Sequence, residues 1–177
     1  MAVQAPRVRI STPTEPILPG RGFYQLEEDS LYVQVGPFLG NRRFFSYLEA
    51  ENVNLHFDRE GRLIFIEVNE PRRRWPVKKA IRPPAVVEPA DIRWLDFRSG
   101  LKQPQFSTDR RRTILKIQFE SCAELRNFYI AEHVIAQISQ SNELCAIWID
   151  DIVDDLAGQE IAAFRRQLRK MSKVGPR

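Results

Sequence analysis

Apolar and polar residues alternate with period two along most of the chain, the pattern of strands that bury one face. Residues 23–35 (FYQLEEDSLYVQV) read as a hairpin, with aromatic and β-branched runs on either side of the polar Glu27, Glu28, Asp29 and Ser30. In a second pair Val53, Leu55 and Phe57 alternate with Asn54 and His56. Asp58, Arg59, Glu60 and Gly61 then form a turn, and residues 63–68 return as a strand. Near the C-terminus the period changes. Ala157, Ile161, Phe164, Leu168 and Met171 recur in steps of four and three, whereas Arg165, Arg166, Arg169 and Lys170 avoid that stripe, which predicts an amphipathic helix.

The strand pattern recurs 81 residues later. Set without gaps over residues 128–149, residues 47–68 share Ala50/Ala131, Glu51/Glu132, Val53/Val134, Leu63/Leu144 and Ile66/Ile147. Gly61 and Asn142, both tolerant of positive φ, fall at the same point of each turn. Residues 31–35 (LYVQV) likewise answer residues 115–119 (LKIQF). Residues 123–138 alone fit a helix, but their counterpart alternates with period two, so they read as strand. The pattern predicts an α+β fold: two related antiparallel β-meander units and a C-terminal amphipathic helix. Its parts are an extended arm over residues 1–22, a first unit over 23–70, a Pro/Arg-rich linker over 71–90, a second unit over 91–153, and the helix with its basic tail over 154–177.

Tyr24, the run Asp29-Ser30-Leu31-Tyr32-Val33, the run Asp58-Arg59-Glu60-Gly61-Arg62-Leu63 and Ile66-Glu67-Val68 resemble the DUF2283 family of small bacterial domains of unknown function. The resemblance covers residues 24–69. It departs from the family at Phe65, where a glycine is usual, and the second copy keeps only the apolar skeleton. It implies a compact β-rich module with no established catalysis, and it transfers no functional residues.

Composition narrows the picture. The chain has 177 residues, 43% of them hydrophobic, and buries roughly 70% of the surface its unfolded form exposes, enough for a core without metal or disulfide. Cys122 and Cys145 are too few and too far apart for a CxxC site or a disulfide framework, and they read as buried small hydrophobes of a reducing compartment. No apolar stretch approaches a membrane span and residues 1–20 lack the apolar core of a signal peptide, so the expected location is cytoplasmic.

Charge changes the picture further, because the net +4 hides strong segregation. Residues 70–112 hold 12 basic and 5 acidic side chains and residues 165–177 hold 6 basic and none acidic, whereas residues 113–164 hold 2 basic and 9 acidic. The basic segments are suited to phosphate, to an acidic partner, or to the chain's own acidic segment. Arg72, Arg73, Arg74 and Trp75, followed by Lys78 and Lys79, form the most distinctive candidate, since guanidinium groups pair with phosphate and an indole stacks on a base. Arg110, Arg111 and Arg112 extend it.

Reaction chemistry is thinner. There is no Walker loop, GxGxxG, HExxH or GxSxG. His56 and His133 occupy different places in the two copies and read as structural. Asp150, Asp151, Asp154 and Asp155 suit a helix N-terminus better than a cation site. No catalytic residue, metal ligand or cofactor is assigned. The expected role is a non-enzymatic protein-interaction or assembly module, with a protein partner or a homo-oligomer. Nucleic-acid binding through the Arg/Trp/Lys-rich linker is the alternative.

Overall fold

The computed structural model describes residues 5–36, 43–96, 100–156 and 158–173. Ala157 and the end of the basic tail, and the side chains of Leu168 and Met171, lie outside the described residues. The protein is mostly strand with one C-terminal helix.

In chain order the first strands are β1 (Val8–Ser11), β2 (Gly20–Gln25), β3 (Ser30–Val35), β4 (Ser46–Glu49), β5 (Val53–Phe57) and β6 (Leu63–Val68). A single 3-10 turn, Arg72–Arg74, follows, and then β7 (Glu88–Pro89), β8 (Asp91–Trp94), β9 (Gln105–Thr108) and β10 (Leu115–Gln118). The chain ends with β11 (Leu125–Ala131), β12 (Val134–Ser139), β13 (Leu144–Ile149), β14 (Val153–Asp154) and α1 (Gln159–Lys173).

The strands form two six-stranded sheets and a two-stranded ribbon. The first sheet has the order β14-β2-β3-β6-β5-β4, the second β7-β11-β12-β13-β10-β9, and β1 pairs with β8. Apart from the short parallel strands β14 and β7, each sheet is an antiparallel hairpin set beside three antiparallel strands, the last of which pairs with the hairpin. β5 and β12 begin 81 residues apart, and β6 and β13 begin and end 81 residues apart. Residues 123–138 are not one strand but β11 and β12 joined by a tight turn at Glu132 and His133, with His133 at φ 64°.

Local chemistry fixes the turns. The β2–β3 turn is held by Gln25, whose side-chain oxygen accepts the Glu27 and Glu28 amides at 2.6 and 3.1 Å. In the β5–β6 turn the buried Asp58 carboxylate accepts the Glu60 and Arg62 amides at 2.9 Å, and Gly61 sits at φ 79°. Its counterpart Asn142 has φ 59°. Both turns use a left-handed position, which a side chain adopts only at some cost unless it is glycine or asparagine.

Alternation places Leu31, Val33, Leu55 and Ile66 of the first sheet in one buried cluster with Leu115, Ile117, Ala136 and Ile147 of the second. The two sheets therefore share one core. They approach closely at Gly20, where an added Cβ would lie 2.6 Å from the Glu132 carbonyl oxygen. The ribbon adds Val8, Ile92 and Trp94 to that core, with Trp94 tilted against Phe57 at 5.1 Å. The N-terminal arm is thus docked through β1 and not loose.

The outer faces are covered differently. On the first sheet α1 sets Ile161 and Phe164 against Tyr32, Ile64 and Phe65, with Phe164 stacked on Phe65 at 4.0 Å. Asp155 holds the start of the helix by accepting the Glu160 and Ile161 amides at 3.3 and 3.0 Å. The proline-rich stretch is docked too. Val77 bridges Thr108 at the β9 edge, while Glu88 and Pro89 pair with Phe128 and Tyr129 at the β11 edge. Residues 79–87 therefore cross the second sheet. A chain of hydrogen bonds runs to them from buried Trp148 through Gln137 and Asn127 to the Val86 carbonyl.

The cysteines correct the expectation of two separate small hydrophobes, because Cys122 and Cys145 are joined in a disulfide with Cα atoms 6.3 Å apart. Cys145 is the extra residue where the β12–β13 register shifts, and its carbonyl accepts the Phe119 and Glu120 amides. These bonds bring the loop carrying Cys122 onto β13, a proximity that spacing along the chain does not reveal. The cysteine argument for a reducing compartment falls with it. No helix among the described residues is long and apolar enough to cross a membrane.

Candidate functional site

Two surfaces emerge. The first joins the basic clusters. The Arg112 guanidinium Nε donates to the Arg72 carbonyl oxygen at 3.0 Å, and the Lys78 amide donates to the Thr108 carbonyl at 2.9 Å. These bonds set the 3-10 turn, the start of the strap (the proline-rich stretch that crosses the second sheet) and the turn after β9 side by side.

Inside the cluster the cations divide into two groups. Arg72 forms a bidentate pair with Asp154 and lies over the Tyr24 ring, 4.4 Å from its centroid. Arg73 pairs with Asp29 at 2.6 Å, a bond that, with one from the Tyr24 hydroxyl, holds the Asp29 carboxyl below its usual range. Arg112 is engaged by the Arg72 carbonyl. Arg74, Lys78, Lys79, Arg110 and Arg111 are exposed and form no ion pair among the described residues.

Lys116, on the outward side of β10, joins this second group. Its ammonium stands 5.3 Å from the Trp148 ring centroid, and burial followed by the Lys78 charge lowers its pKa. The nearest acid in the turn, Asp109, is already engaged. Burial raises its pKa, but donation from the Ile114 and Thr113 amides, the Thr113 hydroxyl and the Arg111 amide outweighs this, and the net shift is downward. Sequence reasoning missed Lys116, although its place between buried Leu115 and Ile117 marks it as outward-facing.

Trp75 requires a correction. It is 2% exposed, donates its indole N–H to the Glu70 carbonyl at 2.9 Å and packs edge-on against Tyr24. Its face is closed to a base, so within the RRRW run the indole is core and the arginines are surface.

The second surface is the edge at β4. Three sheet edges carry a short parallel cap: β14 on β2, β7 on β11, and residues 76–78 on β9. Beyond β4 no strand is found among the described residues; only the Leu101 amide reaches the Glu49 carbonyl, at 3.3 Å. This edge is aromatic. Phe45 and Tyr47 are 53% and 50% exposed, and Phe44 stacks on Tyr47 and leans on His56. The Phe44-Phe45-Ser46-Tyr47 run, aromatic at three of four positions, was the available sequence signal.

The remaining chemistry is structural. Asp150 pairs with His133 Nδ1 at 2.6 Å, Asp151 with Arg21, Asp154 with Arg72, and Asp155 with the helix amides. Asp151 also stands 3.9 Å from His133 Nε2, so Asp150 and Asp151 flank one imidazole while Asp154 and Asp155 turn to Arg72 and the helix amides. His56 lies among Phe44, Tyr47 and Phe65, 3.9 Å from Glu67. The chain matches no protein-family model and no curated protein.

Proposed function

We propose that the protein is a non-enzymatic assembly module that pairs with a second copy of itself through β4. The observation that carries this reading is the contrast among the four sheet edges: three are closed by short parallel caps, and the fourth, among the described residues, is met only by the Leu101 amide at Glu49 and has Phe45 and Tyr47 exposed beside it. An uncovered edge flanked by exposed aromatics is a ready site for pairing, and antiparallel pairing about a two-fold axis is the simplest closed solution.

Charge favours the same geometry. Arg43 and Arg59 lie toward the start of β4, with Arg59 5.7 Å from the Phe45 ring centroid, and Glu49 and Glu51 lie toward its end. Antiparallel self-pairing brings the basic end of one copy to the acidic end of the other. The common strand order of the two sheets and the 81-residue offset support reading them as copies of one β unit of the DUF2283 type, the second copy having gained the cap that the first lacks.

Sedimentation across a concentration series tests the proposal. Assembly of two 20.7-kDa chains is expected, with loss of the larger species in Tyr47→Lys, which puts an edge-blocking charge at the centre of β4. A strict monomer at every concentration rejects it.

A further inference from the structure

We infer that the face formed by Arg74, Lys78, Lys79, Arg110, Arg111 and Lys116 binds the phosphate backbone of a double-stranded nucleic acid without reading its bases. This is independent of pairing through β4. The cations come from three separate stretches of sequence that the fold joins, through the Arg112 to Arg72 bond and the Lys78 to Thr108 bond. Arginines 72, 73 and 112, by contrast, are held by Asp154, Asp29 and a carbonyl, and act as the scaffold.

Two features point to a polyanion rather than to a solvated surface. Asp109, in the cluster's own turn, stays ionised, but its oxygens are taken by the amides and the hydroxyl of that turn and form an ion pair with none of the six cations. Lys116 is partly withdrawn from water beside Lys78, an arrangement that an incoming anion relieves. Bridging phosphates on a duplex supply regularly spaced negative charge to a broad cationic face.

The aromatic residues decide between duplex and single strand. Single-strand binders stack bases on exposed rings. Here Trp75 is 2% and Trp148 6% exposed, so neither indole at the face is available as a stacking platform. Recognition therefore rests on charge, with the arginine forks pairing to phosphate oxygens.

Fluorescence anisotropy with a labelled random-sequence duplex across a salt series tests this, with single-stranded DNA, duplex RNA and polyglutamate as comparison probes. The full-length protein should bind duplex DNA with log affinity falling by about 0.9 per phosphate contact for each unit of log salt. Arg74→Ala/Lys78→Ala/Arg111→Ala should flatten that slope by roughly three such contacts, while Arg9→Ala, on β1 at the opposite end of the second sheet, leaves it unchanged. All three replaced side chains are exposed, and an unaltered circular dichroism spectrum and melting temperature in the triple variant assign its effect to the face. If the triple variant melts early, charge reversal at Arg111→Glu alone should weaken binding at least tenfold. Duplex RNA binding as tightly as DNA supports backbone recognition of any duplex. Preference for the single strand, equal affinity for polyglutamate, or an unchanged slope in the triple variant overturns the inference.

Discussion

The guanidinium of Arg112 donates from Nε to the carbonyl oxygen of Arg72 at 3.0 Å, joining two basic clusters 40 residues apart. Arg112 does so from a left-handed backbone at φ 56°, a conformation costly for a side chain without β-turn chemistry to favour it. Arg112→Ala loses the bond and keeps the strain. It should destabilise the fold by about 1 kcal/mol in urea unfolding. Arg112→Gly loses the bond but enters positive φ without penalty, and should cost less than alanine. Equal losses in the two variants would show that the backbone conformation contributes nothing.

Trp75 anchors the same turn from below. Trp75→Ala removes a buried ring and should cost about 3–5 kcal/mol, read as a lower urea midpoint. Trp75→Phe keeps most of the ring and loses the N–H donated to Glu70, and should cost much less. If Trp75→Ala left stability untouched, the indole could not be core.

Reduction of the Cys122–Cys145 disulfide opens a loop whose ends are 23 residues apart. The chain-entropy model assigns such a closure about 3 kcal/mol. Unfolding with and without dithiothreitol should show a shift of that order, and Cys122→Ser should reproduce it without reductant. Coincident curves would mean that the bond adds no stability.

Docking of α1 depends on pH at both extremes. Glu28 accepts hydrogen bonds from Arg165 first and Tyr32 second, which hold its carboxyl below the usual 4.5. Its folded pKa is depressed, so its contribution is present above pH 4.5 and is lost as pH falls through the folded value. Tyr32 behaves in the opposite sense. Burial, then its bond to Glu28, pushes the phenol up to about 12 from 10.0, so the neutral form supports the fold below pH 10 and that support fades as pH rises toward 12. Near-ultraviolet circular dichroism of the Tyr32, Phe65 and Phe164 cluster should weaken at both ends. Glu28→Gln should remove the acid limb, and an acid limb that survives in that variant would exclude Glu28 as its source.

Where local chemistry decides the structure, the sequence was readable. The β5–β6 and β12–β13 hairpins follow from alternation and from turns that hold Gly61 and Asn142 in left-handed conformations. The helix stripe leads to Ile161 and Phe164 on the buried side. What stayed hidden depends on contacts between distant residues. The caps at Val77, Glu88 and Val153 are too short to carry a period, and β1 and β8 are paired across 80 residues. Trp75 looked like a surface residue because its neighbours are arginines, whereas its burial is set by Tyr24 and Glu70. The disulfide needed the register shift at Cys145. For the basic face, its members were legible but its division into engaged scaffold and exposed cations was not, because Asp29 and Asp154 come from other parts of the chain.

Closure of the β4 edge by a second copy is tested by amide hydrogen exchange with mass spectrometry at low and high protein concentration. The peptide spanning residues 44–49 should gain protection as concentration rises, with the strap around Val86, which is 78% exposed, unchanged as an internal reference. Tyr47→Lys should abolish that gain. Protection of residues 44–49 that does not depend on concentration, or a gain confined to another edge, would rule out pairing through β4.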